Sequence, residues 1–303
     1  MKKHYLPLLA VLLAVFACQK PASDPNPVKP GSSEKFAVNF KVSGFSQVIV
    51  GNARSADTSV LQNVKKLIYV AFNANTGQVV SRQNKITGDT TFGEFRDSLP
   101  TGRYVVTVTG IKDTTGAEIA TDPLGVYIVY PGTDLFYKRT IVSVSGSVDE
   151  NMALDRVVSR LMYQFKGRIP YNARKISIWP HYLDDVYGIS PFLDFYTGSN
   201  LASQHYHYSP YYYSIPDSLI GHDGLTLNTY MMNPSGTQST DVEISVTDST
   251  GKVISSKAIY SVMMENNKTT LLSGYIFDSI PASGGVQVKI NPNWSTDTIK
   301  AEF

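Results

Sequence analysis

Residues 66–82 read KLIYVAFNANTGQVVSR. In an extended chain Leu67, Tyr69 and Ala71 fall on one face and Ile68, Val70 and Phe72 on the other. The β-branched and aromatic content predicts a strand over 66–73. Asn73, Asn75, Thr76 and Gly77 then supply residues that tolerate the positive φ of hairpin turns, and 78–82 returns as a second strand. Residues 244–255, ISVTDSTGKVIS, align without gaps on 70–81, VAFNANTGQVVS, with Gly251 over Gly77. Either a duplicated half or one piece of hairpin chemistry used twice gives such an echo.

Upstream, Phe36, Val38, Phe40 and Val42 alternate with Ala37, Asn39 and Lys41, which predicts a strand over 36–42, with 47–50 extending it. Downstream, strands are expected at 92–99, 103–111, 126–129 and 138–144, with LPTGRY (99–104) as a tight turn between the first two. Short strands with regular turn punctuation predict an antiparallel β-sandwich over 36–147. Leu154, Val157, Val158 and Leu161 then stand at i, i+3, i+4 and i+7, which predicts a short helix opening a second domain over 148–303. Further strands are expected at 162–169, 175–179, 225–232, 242–248, 252–262, 268–277 and 285–290, while 181–213 reads as irregular and aromatic. The fold class is mainly β, two antiparallel sandwiches with one short helix.

The first residues carry a different signal. Lys2 and Lys3 precede an apolar run from Leu6 to Phe16, and Ala17-Cys18 closes it, the layout of a secretory signal over 1–17. Cys18 is the only cysteine in the 303-residue chain. Its position resembles a bacterial lipobox, which implies cleavage before Cys18 and acylation of its thiol. The apolar run is too short to span a bilayer core, which needs about 20 residues. An acyl anchor, palmitate among its chains, is therefore expected to hold the protein on a membrane. Residues 18–35 carry Pro21, Pro25, Pro27 and Pro30 among polar residues and read as a flexible tether.

Removing the signal leaves roughly 285 residues, one large or two ordinary domains. With 27 basic and 25 acidic residues the net charge is +2, so no bulk field favours nucleic acid. Charged residues are only 17%, against 19 tyrosines and 13 phenylalanines, a composition that favours strands.

The succession LIYVAFN (67–73) with a following glycine, then LPTGRY, resembles the fimbrillin-associated anchor lipoproteins, the FimB/Mfa-like family. Leu154-x-Arg156 with Val157 and Val158, NKTTLLSG (267–274) and Asn291-Pro-Asn-Trp294 agree with it. The resemblance covers nearly the whole mature chain. It implies two transthyretin-like sandwich domains on an outer-membrane lipoprotein, exposed at the cell surface. It further implies a pilus anchor or subunit that binds other pilus subunits by strand addition. In the related pilins an arginine in the loop after the first strand is a cleavage site, and the matching position here is Arg54.

No nucleophile elbow, phosphate loop, zinc-spaced cysteine set or dinucleotide glycine run occurs, so neither catalysis nor a cofactor is expected. The densest aromatic cluster runs from His205 to Tyr213. Tyr206, Tyr208, Tyr211, Tyr212 and Tyr213 are candidates to contact a partner or host and matrix glycans, against packing inside the fold. His205 and His207, with Asp184 or Asp185, form a conceivable metal set that the sequence favours little.

Overall fold

The structure, a computed structural model, describes residues 34–45, 64–113, 117–122, 125–181, 190–198, 200–203, 210–232, 237–277, 290–291 and 299–302. The first strands are β1 (Lys35–Phe45), β2 (Lys66–Asn73), β3 (Val79–Ile86), β4 (Glu94–Pro100), β5 (Gly102–Ile111), β6 (Ala117–Asp122), β7 (Gly125–Pro131), β8 (Leu135–Val144) and β9 (Val148–Arg156). There follow β10 (Val158–Lys166), β11 (Lys175–His181), β12 (Ser190–Asp194), β13 (Asn200–Ser203), β14 (Tyr211–Ser214) and β15 (Thr226–Met232). The last are β16 (Thr237–Thr247), β17 (Val253–Glu265), β18 (Thr269–Tyr275), β19 (Ile290–Asn291) and β20 (Ile299–Glu302).

Seven strands form the first sheet in the order β3-β2-β5-β8-β9-β1-β4. β8 and β9 meet only where Phe136 faces Arg156 and Tyr137 faces Asp155, and the sheet turns at that corner. Both of its arms therefore face one core, with Leu67, Tyr69, Val106 and Val108 from one and Phe40, Phe95, Met152 and Leu154 from the other. Tyr69 packs its ring 5.4 Å from Phe95 and donates its hydroxyl to Asp97 Oδ2 at 3.1 Å. Burial, with the Asp97 carboxylate beside it, pushes the Tyr69 phenol well above its ordinary range.

β2 is buried on both faces. Ile68, Val70 and Phe72 look away from the first core into another, which they share with Val105, Leu135, Tyr137, Val158, Leu193, Phe195 and Met232. A four-stranded sheet, β13-β12-β7-β6, joins here, and β12 pairs antiparallel with β7. Tyr137 donates its hydroxyl to the Phe195 carbonyl at 2.7 Å, and Tyr196 donates to the Ala74 carbonyl at 3.0 Å. The third core lies between β15-β10-β18-β19, with β20 beside β18, and β14-β11-β16-β17.

No α-helix occurs among the described residues, and the expected helix is two strands. Its apparent stripe feeds three separate cores: Leu154 the first, Val157 and Val158 the second, Leu161 the third. The helical spacing arises from two runs of period-2 alternation broken at Val157, where the chain changes sheets. β9 runs parallel to β1, from Val38 opposite Val148 to Phe45 opposite Leu154. The first sheet therefore extends to Arg156, beyond the expected boundary at 147/148. The residues from Phe36 onward form one compact unit.

The two similar hairpins share their chemistry. Asn73 Oδ1 accepts from the Asn75 and Thr76 amides, and Asp248 Oδ1 from the Thr250 and Lys252 amides. Gly77 and Gly251 both hold positive φ, at 71° and 85°. Each returning strand skips one residue of register, and these are the aligned Val80 and Ile254. Hydrogen bonds from Thr250 hold the Asp248 carboxyl below the usual carboxylate range.

LPTGRY has an equally physical meaning. Pro100 ends β4 and Gly102 opens β5, and Tyr104 reaches back to donate its hydroxyl to the Pro100 carbonyl at 2.9 Å. A Cβ on Gly102 would stand 3.3 Å from that hydroxyl, so the smallest residue lets the ring lie over the turn. Tyr104→Phe is expected to lower stability by about 1 kcal/mol. The measurement is the denaturant midpoint at unchanged slope, and an unchanged midpoint would show the bond to be dispensable.

Candidate functional site

Two motifs distant in sequence meet beside the corner of the first sheet. Arg156 donates from Nε to Asp134 Oδ1 at 2.8 Å, from Nη2 to Oδ2 at 3.2 Å, and from Nη1 to Asn267 Oδ1 at 3.0 Å. Its guanidinium lies 4.8 Å from the centre of the Phe136 ring. The Asp134 side chain is 2% exposed and that of Arg156 11%. Asn267 takes a positive φ of 63° and donates its amide to the Val158 carbonyl at 2.9 Å. Arg160 lies nearby and donates from Nε to Thr269 Oγ1 at 3.0 Å. Burial lowers the Arg160 guanidinium and raises the Tyr230 phenol, which Asp134 pushes further up. This cluster ties β8, β9 and the approach to β18 together.

Of the residues singled out in the sequence, Cys18, Arg54, Tyr206 and Tyr208 lie outside the described residues, as do His205, His207, Asp184 and Asp185. Tyr211, Tyr212 and Tyr213 form most of β14, and strand alternation separates them. Tyr211 is buried and donates its hydroxyl to the Tyr230 carbonyl at 2.6 Å. Tyr213 packs against the third core and donates to the Asn228 carbonyl. Only Tyr212 of the three is exposed, at 58%, with Lys175 Nζ 4.1 Å from its ring centre. Of the two readings of these tyrosines, contact or packing, residues 211–213 leave a single ring, Tyr212, pointing outward. Packing claims the other two.

The sheet edges differ in how they are closed. β3 and β4 end opposite sides of the first sheet, yet Gln83 Nε2 donates to the Arg96 carbonyl at 2.9 Å and Lys85 donates to Thr91. Side chains of β3 thereby occupy the rim of β4. A polar groove of about 420 Å³ crosses the outer face of β9, β1 and β4, where Asn39 donates to Asp149 at 2.7 Å. β17 is different. It is the longest described strand, 13 residues, and ends its sheet with no described strand on its outer side. Thr270 Oγ1 covers the Met263 carbonyl at 2.7 Å, near its C-terminal end. Tyr260 stands 70% exposed beside Ser261, whose φ of 57° accompanies a register shift opposite Asp241. The sequence marks 252–262 as a strand but carries no sign that it lies at an edge.

No protein-family model matches the chain, and no curated protein matches its sequence. Among solved structures it is similar to a candidate adhesin from Bacteroides ovatus, at 10% identity over 80% of this chain and 87% of that one, with a TM-score of 0.49. It is similar to a candidate polysaccharide-binding protein from Bacteroides thetaiotaomicron, at 13% identity over 86% and 96%, with a TM-score of 0.46. It is also similar to the fimbrial anchor protein Mfa2 from Porphyromonas gingivalis, at 14% identity over 86% and 97%, with a TM-score of 0.43.

Proposed function

We propose that the chain is an outer-membrane lipoprotein that anchors or builds a pilus, held by acyl chains on Cys18 and joined to a partner subunit through the β17 edge. It is a binding protein and not a catalyst. The observation that carries the reading is the lipobox-like Ala17-Cys18, followed by a proline-rich tether that leads into β1. The order of the motifs supports it, and so does a long edge strand able to take another chain's backbone hydrogen bonds.

Arg54 bears on the role. A cut there would sever the only covalent path from Cys18 to β2, leaving β1 held by β9 and β4 alone. An anchor under load needs that path, so the mature anchor keeps Arg54 uncut. Two variants test the proposal together. Cys18→Ala is expected to move the protein from the membrane fraction to the soluble one. Tyr260→Lys places a guarding charge on the edge and is expected to abolish association with the cell's pilus subunits while the thermal transition stays in place. Membrane retention of the first variant contradicts the anchor, and undiminished pilus association of the second contradicts the edge.

A further inference from the structure

The outer face of the β14-β11-β16-β17 sheet carries a second concavity, about 350 Å³, lined by Ser177, Trp179, Glu243, Ser245, Ser256 and Ala258 among others. The register sets these residues in rows. Ser177 lies opposite Tyr212 on one side and Ser245 on the other, and Ser245 opposite Ser256. In the next row Trp179 lies opposite Glu243, and Glu243 opposite Ala258. Ile176, Ile178, Val242, Ile244 and Val246 alternate with them and are buried in the third core, so the rows point outward.

The chemistry of the rows is specific. Trp179 offers a partly buried indole, its ring 4.4 Å from that of His181. Its N–H is buried and has no hydrogen-bond partner among the described residues. Three serines, one carboxylate and Lys257 line the concavity with it, and Glu243 Oε2 lies 3.5 Å from His181 Nε2. Ala258 leaves the floor shallow where a larger side chain would fill it. The volume lies at the lower end of the range for small-ligand pockets, roughly 300–1,000 Å³.

We infer that this concavity binds one unit of a neutral saccharide. The apolar face of a pyranose would stack on the Trp179 indole, and its hydroxyls would donate to Glu243 and exchange hydrogen bonds with Ser177, Ser245 and Ser256. Lys257 also lines the concavity, but its Nζ is turned to the Tyr275 carbonyl at 3.4 Å, so Glu243 is the charge presented to a sugar and disfavours an acidic one. A peptide strand is less well served, because side chains rather than free backbone groups line the floor. The inference is independent of the pilus reading.

The test uses the full mature chain carrying Trp294→Phe, which leaves Trp179 as the sole tryptophan. Glucose, galactose, mannose and N-acetylglucosamine are titrated while tryptophan emission is recorded, and binding is repeated on a glycan array. A saturable emission change with at least one neutral sugar is expected. In the native background, Trp179→Phe and Glu243→Gln should each weaken array binding roughly tenfold, the size of one lost stacking or charged hydrogen-bond contact. Tyr260→Lys should leave sugar binding unchanged, which separates this site from the strand edge. No saturable change with any of the four sugars overturns the inference. So does binding confined to acidic sugars, or array binding that neither variant weakens.

Discussion

Arg156→Ala is expected to destabilise the chain by roughly 3–5 kcal/mol, the range for breaking one side of a buried ion pair. Asp134 is only 2% exposed and receives two of the guanidinium's hydrogen bonds, so truncation leaves an interior carboxylate without its bonded partner and with only the neighbouring Arg160 as counter-charge. Asn267 loses a donor at the same time, just where its positive φ feeds β18. Chemical denaturation of the variant measures the loss. The paired replacement Arg156→Met with Asp134→Leu should recover much of it, because removing both charges removes the unpaired one. A single variant within about 0.5 kcal/mol of the parent, the scatter of ordinary surface substitutions, would show that the pair does not tie the sheets together.

Phe40→Pro should prevent folding altogether. β1 lies between β9 and β4 in the first sheet, a central position, and Phe40 is 1% exposed with its ring 5.6 Å from that of Tyr69. Proline removes a ladder donor and imposes a fixed φ, at a cost of about 3 kcal/mol or more. Loss of the buried aromatic ring adds roughly 3–5 kcal/mol. Together these consume most of a typical stability of about 5–15 kcal/mol. Phe40→Leu, which keeps the amide and most of the volume, should fold with a lowered melting temperature. Circular dichroism and solubility distinguish the two. A folded Phe40→Pro protein would mean that β1 is dispensable, and the path from tether to body would then lose its structural basis.

Much of the β architecture was legible in the residues. β2 is legible at its observed bounds because both of its faces are apolar and Asn and Gly punctuate its end. The two hairpins were legible for the same reason, and the turn at 99–104 because proline, glycine and tyrosine have fixed tasks there. The helical spacing of Leu154, Val157, Val158 and Leu161 misleads because the 152–165 alternation breaks at Val157, where neighbouring residues enter different cores. That fact depends on partners more than a hundred residues away. The parallel pairing of β1 with β9 and the union of β7 with β12 have no local signature either, so the sheet that joins the two halves was invisible. For the tyrosines of β14 the sequence leaves contact and packing both open, because composition shows abundance and not direction. The row linking Trp179, Glu243 and Ala258 exists only once the register of three strands is known.

The most direct test of the central claim is amide hydrogen exchange of the mature chain, alone and with the pilus subunits of the cell that makes it. Strand addition gives the outward amides of β17 new carbonyl partners, so exchange within residues 253–265 should slow strongly on association while the buried strand β2 stays unchanged. Association with no added protection over 253–265, or no association at all, would contradict the account.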